Sequence, residues 1–332
     1  MSVSFATSLS TPFSTRAGIL FVLAGMALVS INDMLVKLMS GDYPLHEMIF
    51  VRSVVGISVS LLILRIEGGW RLLKTRNPWL HLFRAVLIVV ANMAYFAALA
   101  VMPLADATAL FFVAPLCIAL LSVPVLGEKV GPRRIGAVLV GLLGVAAIAR
   151  PGADWGDAAP PGWALALPLA AAFAYAGMQV LTRKLGATTQ ASAMAIHVQG
   201  AFLLTGTAFF LVAGDGRFAE NIANESLIFL LRSWVWPTPE DWPLFILLGL
   251  CSGGIGYCLS QAYRLGDAAT VAPFEYAVLP LAIFWGWAVF GDVPGVRVLA
   301  GIALIAGSGI CVFLLERRKS SSVPSARPVR RW

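Results

Sequence analysis

The sequence is poor in charge. Asp, Glu, Lys and Arg together make up 12% of its 332 residues, about half of the roughly 25% that is typical of soluble domains. Apolar residues account for 59% of the chain, and the mean hydropathy is +0.84. This composition excludes an ordinary soluble domain and predicts a membrane protein.

Histidine and cysteine are also scarce, with three and four copies. All four cysteines lie in apolar runs and are expected to be small core residues rather than disulfide partners. They are Cys117, Cys251, Cys258 and Cys311. The chain has no P-loop, no G-x-G-x-x-G loop and no H-E-x-x-H pair, which excludes these nucleotide-binding and zinc-binding signatures. We therefore expect no metal and no cofactor.

Ten apolar stretches are each long enough to cross a bilayer, which takes about 17 to 25 residues of helix. They lie roughly at residues 17–36, 46–65, 82–101, 104–125, 132–149, 161–181, 192–212, 243–263, 268–290 and 296–315. Together they occupy most of the chain and leave no room for a separate soluble domain. The sequence therefore predicts an all-α membrane protein with ten transmembrane helices in a lipid bilayer, a multi-pass protein of the inner (plasma) membrane.

Basic residues concentrate at alternate ends of these stretches. If the N-terminus is cytoplasmic, 18 of the 24 Lys and Arg residues fall in cytoplasmic segments, as positive-inside topology requires. Both termini are therefore predicted to be cytoplasmic, with residues 1–16 as an N-terminal segment and residues 316–332 as a basic tail. The net charge of +7 follows from this asymmetry, so we expect no nucleic-acid partner. The tail is either a topology signal or a contact for anionic lipid.

The two halves of the chain are weakly similar at two consistent offsets. Lys37 corresponds to Lys184 at an offset of 147 residues, and Gly127 corresponds to Gly291 at an offset of 164. The second half is longer by the difference of 17 residues, and the segment 214–242 accounts for it. Because this segment follows the seventh span, we predict an external insertion, with a short interfacial helix inside it.

Two five-helix repeats follow from this comparison, residues 17–152 and residues 161–315. Because five is an odd number, the second repeat must enter the membrane from the opposite face. Inverted repeats are typical of secondary transporters, whose substrate sites lie near the membrane midplane between the repeats. We therefore expect a central site that is exposed to the two sides of the membrane in turn.

Several short motifs accompany the repeat. They are YFAAL (95–99), MPLADA (102–107), GEK (127–129), RPG (150–152), APFEY (272–276) and FGDVP (290–294), with Arg84 opening the third span and Pro115 within the fourth. On these motifs, the sequence resembles the EamA-type transporters of the drug/metabolite transporter superfamily over nearly its whole length. One departure is Asp292, which stands where the second repeat would match Glu128.

The resemblance implies a secondary transporter that moves a small organic metabolite across the inner membrane by alternating access. Amino-acid-like, nucleoside-like and flavin-like solutes, including S-adenosylmethionine and riboflavin, are carried by similar proteins. A membrane-embedded enzyme and a channel are the alternatives from other classes. The sequence has no zinc signature or Ser/His dyad that would favour the enzyme, and no charged pore element that would favour the channel.

Ionisable side chains inside a membrane are costly, and they usually face a partner or a cavity. Asp33 and Lys37 are four residues apart on the first span and therefore share a helix face. Either they form a local ion pair, or Asp33 meets Arg52 of the second span and lines the external entrance. Lys37 and Glu128 lie at span ends and are candidate gate residues, with solvated helix ends as the alternative.

Glu275 is the strongest single candidate for a substrate or proton site. Pro273 and Pro280 flank it and interrupt helical hydrogen bonding, which frees carbonyl groups that a neighbour or a cavity must satisfy. The alternative is a structural hydrogen bond to another helix. Tyr276 follows directly and offers an aromatic wall. His197 lies at a similar depth and is either a coupling residue or an interhelical contact.

Uncharged residues complete the candidate site. Asn92 and Gln199 offer hydrogen-bond donors and acceptors inside the third and seventh spans, where they either line a site or bridge helices. Tyr95 supplies a further aromatic wall for a planar or cationic solute. Together with Asp33, Arg52, His197, Glu275 and Tyr276, these residues are the predicted substrate or coupling residues.

The fifth and tenth spans are rich in glycine, which allows close helix packing. The glycines are Gly136, Gly141, Gly144, Gly301, Gly307 and Gly309. They predict that the two spans pack either against each other or against a second subunit of a homodimer.

Overall fold

The computed structural model describes residues 12–75, 77–126, 132–149, 162–185, 189, 191–220, 222–265 and 272–321. All regular secondary structure in these ranges is helical. The α-helices are α1 (Pro12–Met39), α2 (Leu45–Glu67), α3 (Pro78–Leu99), α4 (Leu104–Phe111), α5 (Ala114–Leu126), α6 (Pro132–Ala149), α7 (Ala166–Leu185), α8 (Ala191–Ala213), α9 (Glu225–Leu231), α10 (Trp242–Leu265), α11 (Val278–Phe290) and α12 (Val296–Ser321). Short 3-10 turns, Trp70–Leu73, Gly162–Leu165 and Ala272–Ala277, precede α3, α7 and α11. The predicted all-helical class is confirmed.

Seven of the described helical segments are long and apolar enough to cross a membrane. They are Arg16–Met39, Leu45–Glu67, Pro78–Leu99, Leu104–Val125, Gly162–Thr182, Ser192–Ala213 and Trp242–Leu259. Three shorter apolar helices, Leu139–Ile148, Phe274–Phe290 and Val296–Cys311, overlap the remaining three predicted spans. Large apolar side chains such as Leu62 and Leu204 are exposed along these helices, which suits contact with lipid chains.

Helices from the two halves of the chain pair with each other. α1 packs against α10, α3 against α7, α2 against α8, and α6 against α12. The contact between α2 and α8 is antiparallel, because Gly56 lies against Gln199 whereas Gly206 lies against Phe50. The described core is therefore built between the halves rather than within each of them.

Glycine allows α6 and α12 to approach closely. A Cβ atom on Gly144 would lie 2.8 Å from the carbonyl oxygen of Gly301, and this contact would force the helices apart. The fifth and tenth spans therefore pack against each other, as one of the two interpretations of their glycines expects. Gly309 on α12 instead makes room for the side chain of Tyr276.

Two spans are interrupted inside the bundle. The fourth span consists of α4, which ends at Phe111, and α5, which begins at Ala114. The ninth span begins as the 3-10 turn Ala272–Ala277 and continues as α11. Pro115 and Pro280 lie in the first turns of α5 and α11, where the missing N–H would have no helical partner in any case.

Residues 214–220 and 222–241 cover one end of the bundle, termed here the insertion end. Their helix α9 is capped by Asn224, whose Oδ1 accepts a hydrogen bond from the Leu227 amide at 3.2 Å. The α1–α2 loop and the α3–α4 turn lie at the same end, because this segment contacts Gly41 and Ala97. The end that holds the α2–α3 connection and the start of α8 is termed the opposite end.

Candidate functional site

A buried polar cluster lies between α1, α3 and α4. At its centre, the Asp33 carboxylate accepts hydrogen bonds from Asn32 Nδ2 and from the Tyr95 hydroxyl, each at 3.0 Å. The Thr108 hydroxyl lies 2.9 Å from the Tyr95 oxygen and 2.7 Å from the Leu104 carbonyl oxygen. Asp33 is thus oriented by donors in a region with little access to water.

Arg52 of α2 lies beside this cluster. Its Nη2 donates a hydrogen bond to the side-chain oxygen of Asn92. Its guanidinium carbon lies 5.1 Å from the ring centroids of both Phe96 and Phe202. Its Nε–H has no hydrogen-bond partner among the residues that the structure describes. The guanidinium is therefore held between aromatic faces, with one donor available to a ligand.

α3 brings the two charged groups together. Asn92 and Tyr95 are three residues apart and therefore project from one side of the helix. Asn92 binds Arg52, and Tyr95 binds Asp33. The charge of Arg52 also acts on Asp33. The structure thus brings four of the predicted candidate residues into one region.

Lys37 does not pair with Asp33. Its ammonium group donates to the carbonyl oxygens of Leu99 and Met102 at 3.2 and 2.7 Å, and it lies 5.2 Å from the ring centroid of Phe290. The last carbonyls of a helix lack helical partners and carry partial negative charge, so a cation is favoured there. The local ion pair between Asp33 and Lys37, one of the two alternatives from the sequence, does not form. Lys37 instead connects α1 to the end of α3.

Glu275 and Tyr276 lie in the 3-10 turn before α11, and both are buried. The charge of Glu275 acts on the hydroxyl groups of Tyr276 and of Tyr175 on α7. The Tyr276 hydroxyl packs over Gly309 and has no hydrogen-bond partner in the described ranges. A carboxylate and two phenol groups therefore meet where the ninth span is interrupted.

A row of aromatic rings connects the surroundings of Asp33 and Glu275. From Tyr95 it passes through Phe111 to Tyr175, with centroid distances of 5.0 and 5.3 Å. From Phe111 it also continues through Phe112 to Tyr276, at 5.8 and 5.6 Å. These five residues, Tyr95, Phe111, Phe112, Tyr175 and Tyr276, are termed the aromatic row. Such faces offer stacking surfaces to a planar solute.

The other predicted residues lie outside this region. Gln199 donates to the Ser252 hydroxyl at 2.9 Å. His197 lies against His81 of α3, with ring centroids 5.1 Å apart. Glu128, the second candidate gate residue, lies outside the described residues.

Several residues of the site have no counterpart in the sequence-based prediction. They are Thr108, Phe96, Phe111, Phe112, Tyr175 and Phe202. Aromatic residues in apolar spans look like core or lipid-facing residues, so composition does not distinguish them. Pro115, beside the interruption of the fourth span, is the one feature of the sequence that points to Phe111 and Phe112.

Arg232 ties the insertion segment to the α1–α2 loop. Its guanidinium donates to the carbonyl oxygens of Gly41 at 2.5 Å and Ser40 at 2.8 Å, and also to that of Tyr43. One charged side chain thus satisfies three backbone acceptors of a loop that has no regular structure of its own.

A second contact joins the same loop to the start of α10. The Tyr43 hydroxyl donates to the Asp241 carboxylate at 2.6 Å, and the Thr238 hydroxyl donates to it at 2.7 Å. These hydrogen bonds hold the pKa of Asp241 below its usual value of 3.8. The insertion end is therefore held together by hydrogen bonds from Arg232, Tyr43 and Thr238, although Arg232 Nε and Glu47 Oε1 have no partner among the described residues.

Comparison with known proteins places these features in context. Residues 16–150 match the model of the EamA-like transporter family. The riboflavin transporter of Rhizobium johnstonii is 32% identical over 251 residues, 76% of this chain and 75% of that protein. The riboflavin transporter of Vibrio cholerae is 31% identical over 279 residues, 83% of this chain and 85% of that protein. The S-adenosylmethionine uptake transporter of Rickettsia prowazekii is 24% identical over 305 residues, 92% of this chain and 95% of that protein.

Proposed function

Since the chain belongs to the EamA-like transporter family of drug/metabolite transporters, we propose that the aromatic row binds a small planar metabolite, which the protein carries by alternating access. The chain is a multi-pass membrane protein and a transporter of small metabolites. The names of its relatives indicate transport rather than catalysis. The observation that carries the proposal is the aromatic row between two buried carboxylates, Asp33 and Glu275.

Two inverted five-helix repeats, residues 17–152 and 161–315, are part of this proposal. Helix pairing supports them. α1, the first span of the first repeat, packs against α10, the third span of the second repeat. In the same way α7, the first span of the second repeat, packs against α3, the third span of the first repeat. Phe112 and Tyr276 also differ by 164, the offset found near the ends of the repeats, and their rings are 5.6 Å apart. Equivalent residues touch each other near an axis that relates the two halves, which is where a transporter of this design holds its solute.

The proposal includes ten membrane crossings in the inner membrane, with both termini cytoplasmic. The seven long and three shorter apolar helices support this number. The segment 214–242 is then external, and residues 1–16 and 316–332 are cytoplasmic. The hydrogen bonds of Arg232 and Lys37 at the insertion end support a conformation that is shut toward the outside.

A flavin fits the chemistry of the site. Its ring system is flat and stacks on aromatic faces such as those of Phe111 and Tyr175. The ring edge carries hydrogen-bond donors and acceptors, which suit Asp33 and the Nε–H of Arg52, and the hydroxyls of its side chain suit Glu275. The riboflavin transporters that are 32% and 31% identical support this class of substrate.

Riboflavin binding and transport by the purified protein test the proposal. We expect bound riboflavin to lose fluorescence and labelled riboflavin to cross the membrane of proteoliposomes. Phe111→Ala removes the central ring and should weaken binding about tenfold, since an aromatic pair contributes about 0.5–1.5 kcal/mol beyond simple burial. Phe83→Ala is the matched control, because Phe83 of α3 is exposed. The absence of transport, or equal binding in both variants, contradicts the proposal.

A cationic solute resembling S-adenosylmethionine is the second candidate. Two buried carboxylates and several aromatic faces suit a positive charge. A relative that is 24% identical is named as an uptake transporter for S-adenosylmethionine. If this solute, rather than riboflavin, stabilises the protein against heat, and Glu275→Gln removes the effect, the second candidate replaces the first.

A further inference from the structure

Three basic side chains meet near the opposite end of the bundle. His81 and Arg84 are three residues apart on α3 and therefore share a helix face. Both are buried, with 4% and 6% of their surface exposed. His197 of α8 is half-buried and approaches them, with its ring centroid 5.1 Å from that of His81. These three residues are termed the buried basic cluster.

Among the described residues, the Arg84 guanidinium is anchored on one side only. Its Nε donates to the Thr182 hydroxyl at 2.7 Å, and that hydroxyl lies 2.8 Å from the carbonyl oxygen of Met178. Its buried Nη1 has no hydrogen-bond partner among the residues that the structure describes. Arg84 is therefore oriented by α7 while one of its charged donors remains unused.

Each histidine of the cluster also has an unused ring nitrogen. His81 Nε2 lies 3.3 Å from the Thr189 hydroxyl, whereas its Nδ1 is buried without a partner in the described part of the chain. The Nδ1 of His197 is buried and unpartnered in the same way. If Thr189 donates to Nε2, the Nδ1 of His81 carries the proton and is a donor. The two neighbouring rings, one on α3 and one on α8, therefore each keep a buried nitrogen without a described partner.

The charge of the cluster is not balanced within the described residues. Arg84 remains protonated, and its charge acts on both His81 and His197. No described carboxylate acts on Arg84 in return. A buried cation is costly unless an anion and hydrogen bonds compensate it. The cluster therefore has both the charge and the free donors that an anion requires.

We propose that the buried basic cluster binds an oxyanion, a carboxylate or phosphate group. Such a group accepts several hydrogen bonds at once and matches the geometry of a guanidinium. A metal cation would be repelled by Arg84, and the described residues contain no group of three or more metal-ligating side chains. The cluster is separate from the aromatic row, because Arg84 and Tyr95 are eleven residues apart on α3, about 16 Å along the helix axis.

Thermal unfolding of the purified protein in detergent tests the proposal. Inorganic phosphate is the probe, and chloride at the same ionic strength is the reference. We expect phosphate to raise the melting temperature of the wild type, and Arg84→Gln to raise the Kd for phosphate by about tenfold to a hundredfold, because a charged donor is lost. Arg65→Gln is the matched control, since Arg65 is a basic residue at the same end but is exposed. The Kd of Arg65→Gln for phosphate should equal that of the wild type.

A second variant and a lipid complete the test. His197→Asn should also weaken phosphate binding, and it provides the readout if Arg84→Gln does not fold. Phosphatidylglycerol added to the micelles distinguishes the two sources of the oxyanion: stabilisation by this lipid alone, lost in Arg84→Gln, identifies a headgroup, whereas stabilisation by inorganic phosphate identifies a soluble anion. Identical melting temperatures in phosphate, lipid and chloride, or a Kd that neither variant changes, would overturn the proposal.

Discussion

The two ends of the helix bundle differ in how the charge of their basic residues is compensated. At the insertion end, Lys37 and Arg232 donate to backbone carbonyls of neighbouring segments. Asp42 and Glu47 also act on Arg232, although its Nε has no partner among the described residues. At the opposite end, His81 and Arg84 are buried with unpartnered nitrogens, and no described carboxylate acts on Arg84. Charge therefore stabilises the fold at one end, whereas at the other it is a cost until an anion compensates it.

Burial of charge therefore does not by itself identify a functional residue. A basic side chain whose donors meet backbone carbonyls is a structural tie between segments, as Arg232 is between the insertion and the α1–α2 loop. A buried cation that keeps an unpartnered donor and has no described carboxylate acting on it, as Arg84 does, is a stronger indication of a ligand, because nearly all buried polar groups in folded proteins have partners.

Removing the Arg232 side chain should destabilise the insertion end more than any other single change proposed here. In Arg232→Gln the α1–α2 loop loses its charged donor, and we expect the free energy of unfolding to fall by about 2 kcal/mol. Arg217→Gln is the control. The Arg217 side chain is 60% exposed and lies 3.7 Å from Asp215, so we expect a loss of less than about 0.5 kcal/mol. If thermal or chemical unfolding shows that the two variants lose the same free energy of unfolding, Arg232 does not stabilise the α1–α2 loop as proposed.

Lys37 and Lys184 occupy corresponding positions in the two halves but have different surroundings. Lys37 donates to two carbonyl oxygens at the end of α3, whereas Lys184 is exposed on α7. Lys37→Met should lower the free energy of unfolding by about 1.5 kcal/mol, because the helix end loses its cation. Lys184→Met should change it by less than about 0.5 kcal/mol. The prediction fails if chemical denaturation gives the two variants the same loss.

Removing the Arg84 charge should change the stability of the protein in the opposite direction. In a buffer without oxyanions, Arg84→Gln removes an uncompensated buried charge, so we expect either no loss of stability or a gain of up to about 1 kcal/mol. Thermal unfolding of Arg84→Gln and of Arg232→Gln, measured in parallel, shows whether the two changes in stability have different signs. A loss as large as that of Arg232→Gln would mean that the folded protein already compensates the Arg84 charge.

The smallest expected effect concerns pH at the insertion end. Asp241 has a pKa below 3.8 in the folded protein because Tyr43 and Thr238 donate hydrogen bonds to it. Such a carboxylate stabilises the fold above its unfolded-state pKa, and the contribution is lost as the pH falls through the lower folded-state pKa. Tyr43→Phe removes one donor. The variant should therefore be less stable than the wild type at about pH 6, and the gap should narrow below about pH 4. A gap that is constant in thermal unfolding across this range contradicts the assignment.

Polar residues inside apolar spans are the part of the site that sequence reasoning recovers. Asp33, Arg52, Asn92 and Tyr95 stand out because each is costly in a membrane without a partner. The structure brings these four into one region. The same reasoning predicts the helical class, because long apolar stretches without strand periodicity leave few alternatives. The inverted repeat stays a prediction that the pairing of helices supports.

The remaining contacts depend on features that leave little trace in the sequence. The partners of Lys37 are backbone carbonyls, which every residue has, so the sequence does not show whether Lys37 binds them or Asp33. Phe111 and Tyr175 acquire their importance from ring contacts across three helices. His81 is a candidate binding residue only because His197 lies beside it. The packing of α3 against α8 brings the two rings together.

α3 extends from the opposite end of the bundle to the insertion end and connects the two. Its 22 residues extend over about 33 Å. Along this length it carries Arg84, then Asn92 and Tyr95, and finally the Leu99 carbonyl that Lys37 holds. If α3 moves as a unit, the binding of an anion beside Arg84 and the binding of a solute beside Tyr95 belong to one thermodynamic cycle. By reciprocity, the factor by which an anion beside Arg84 changes the affinity for a solute beside Tyr95 equals the factor by which that solute changes the affinity for the anion.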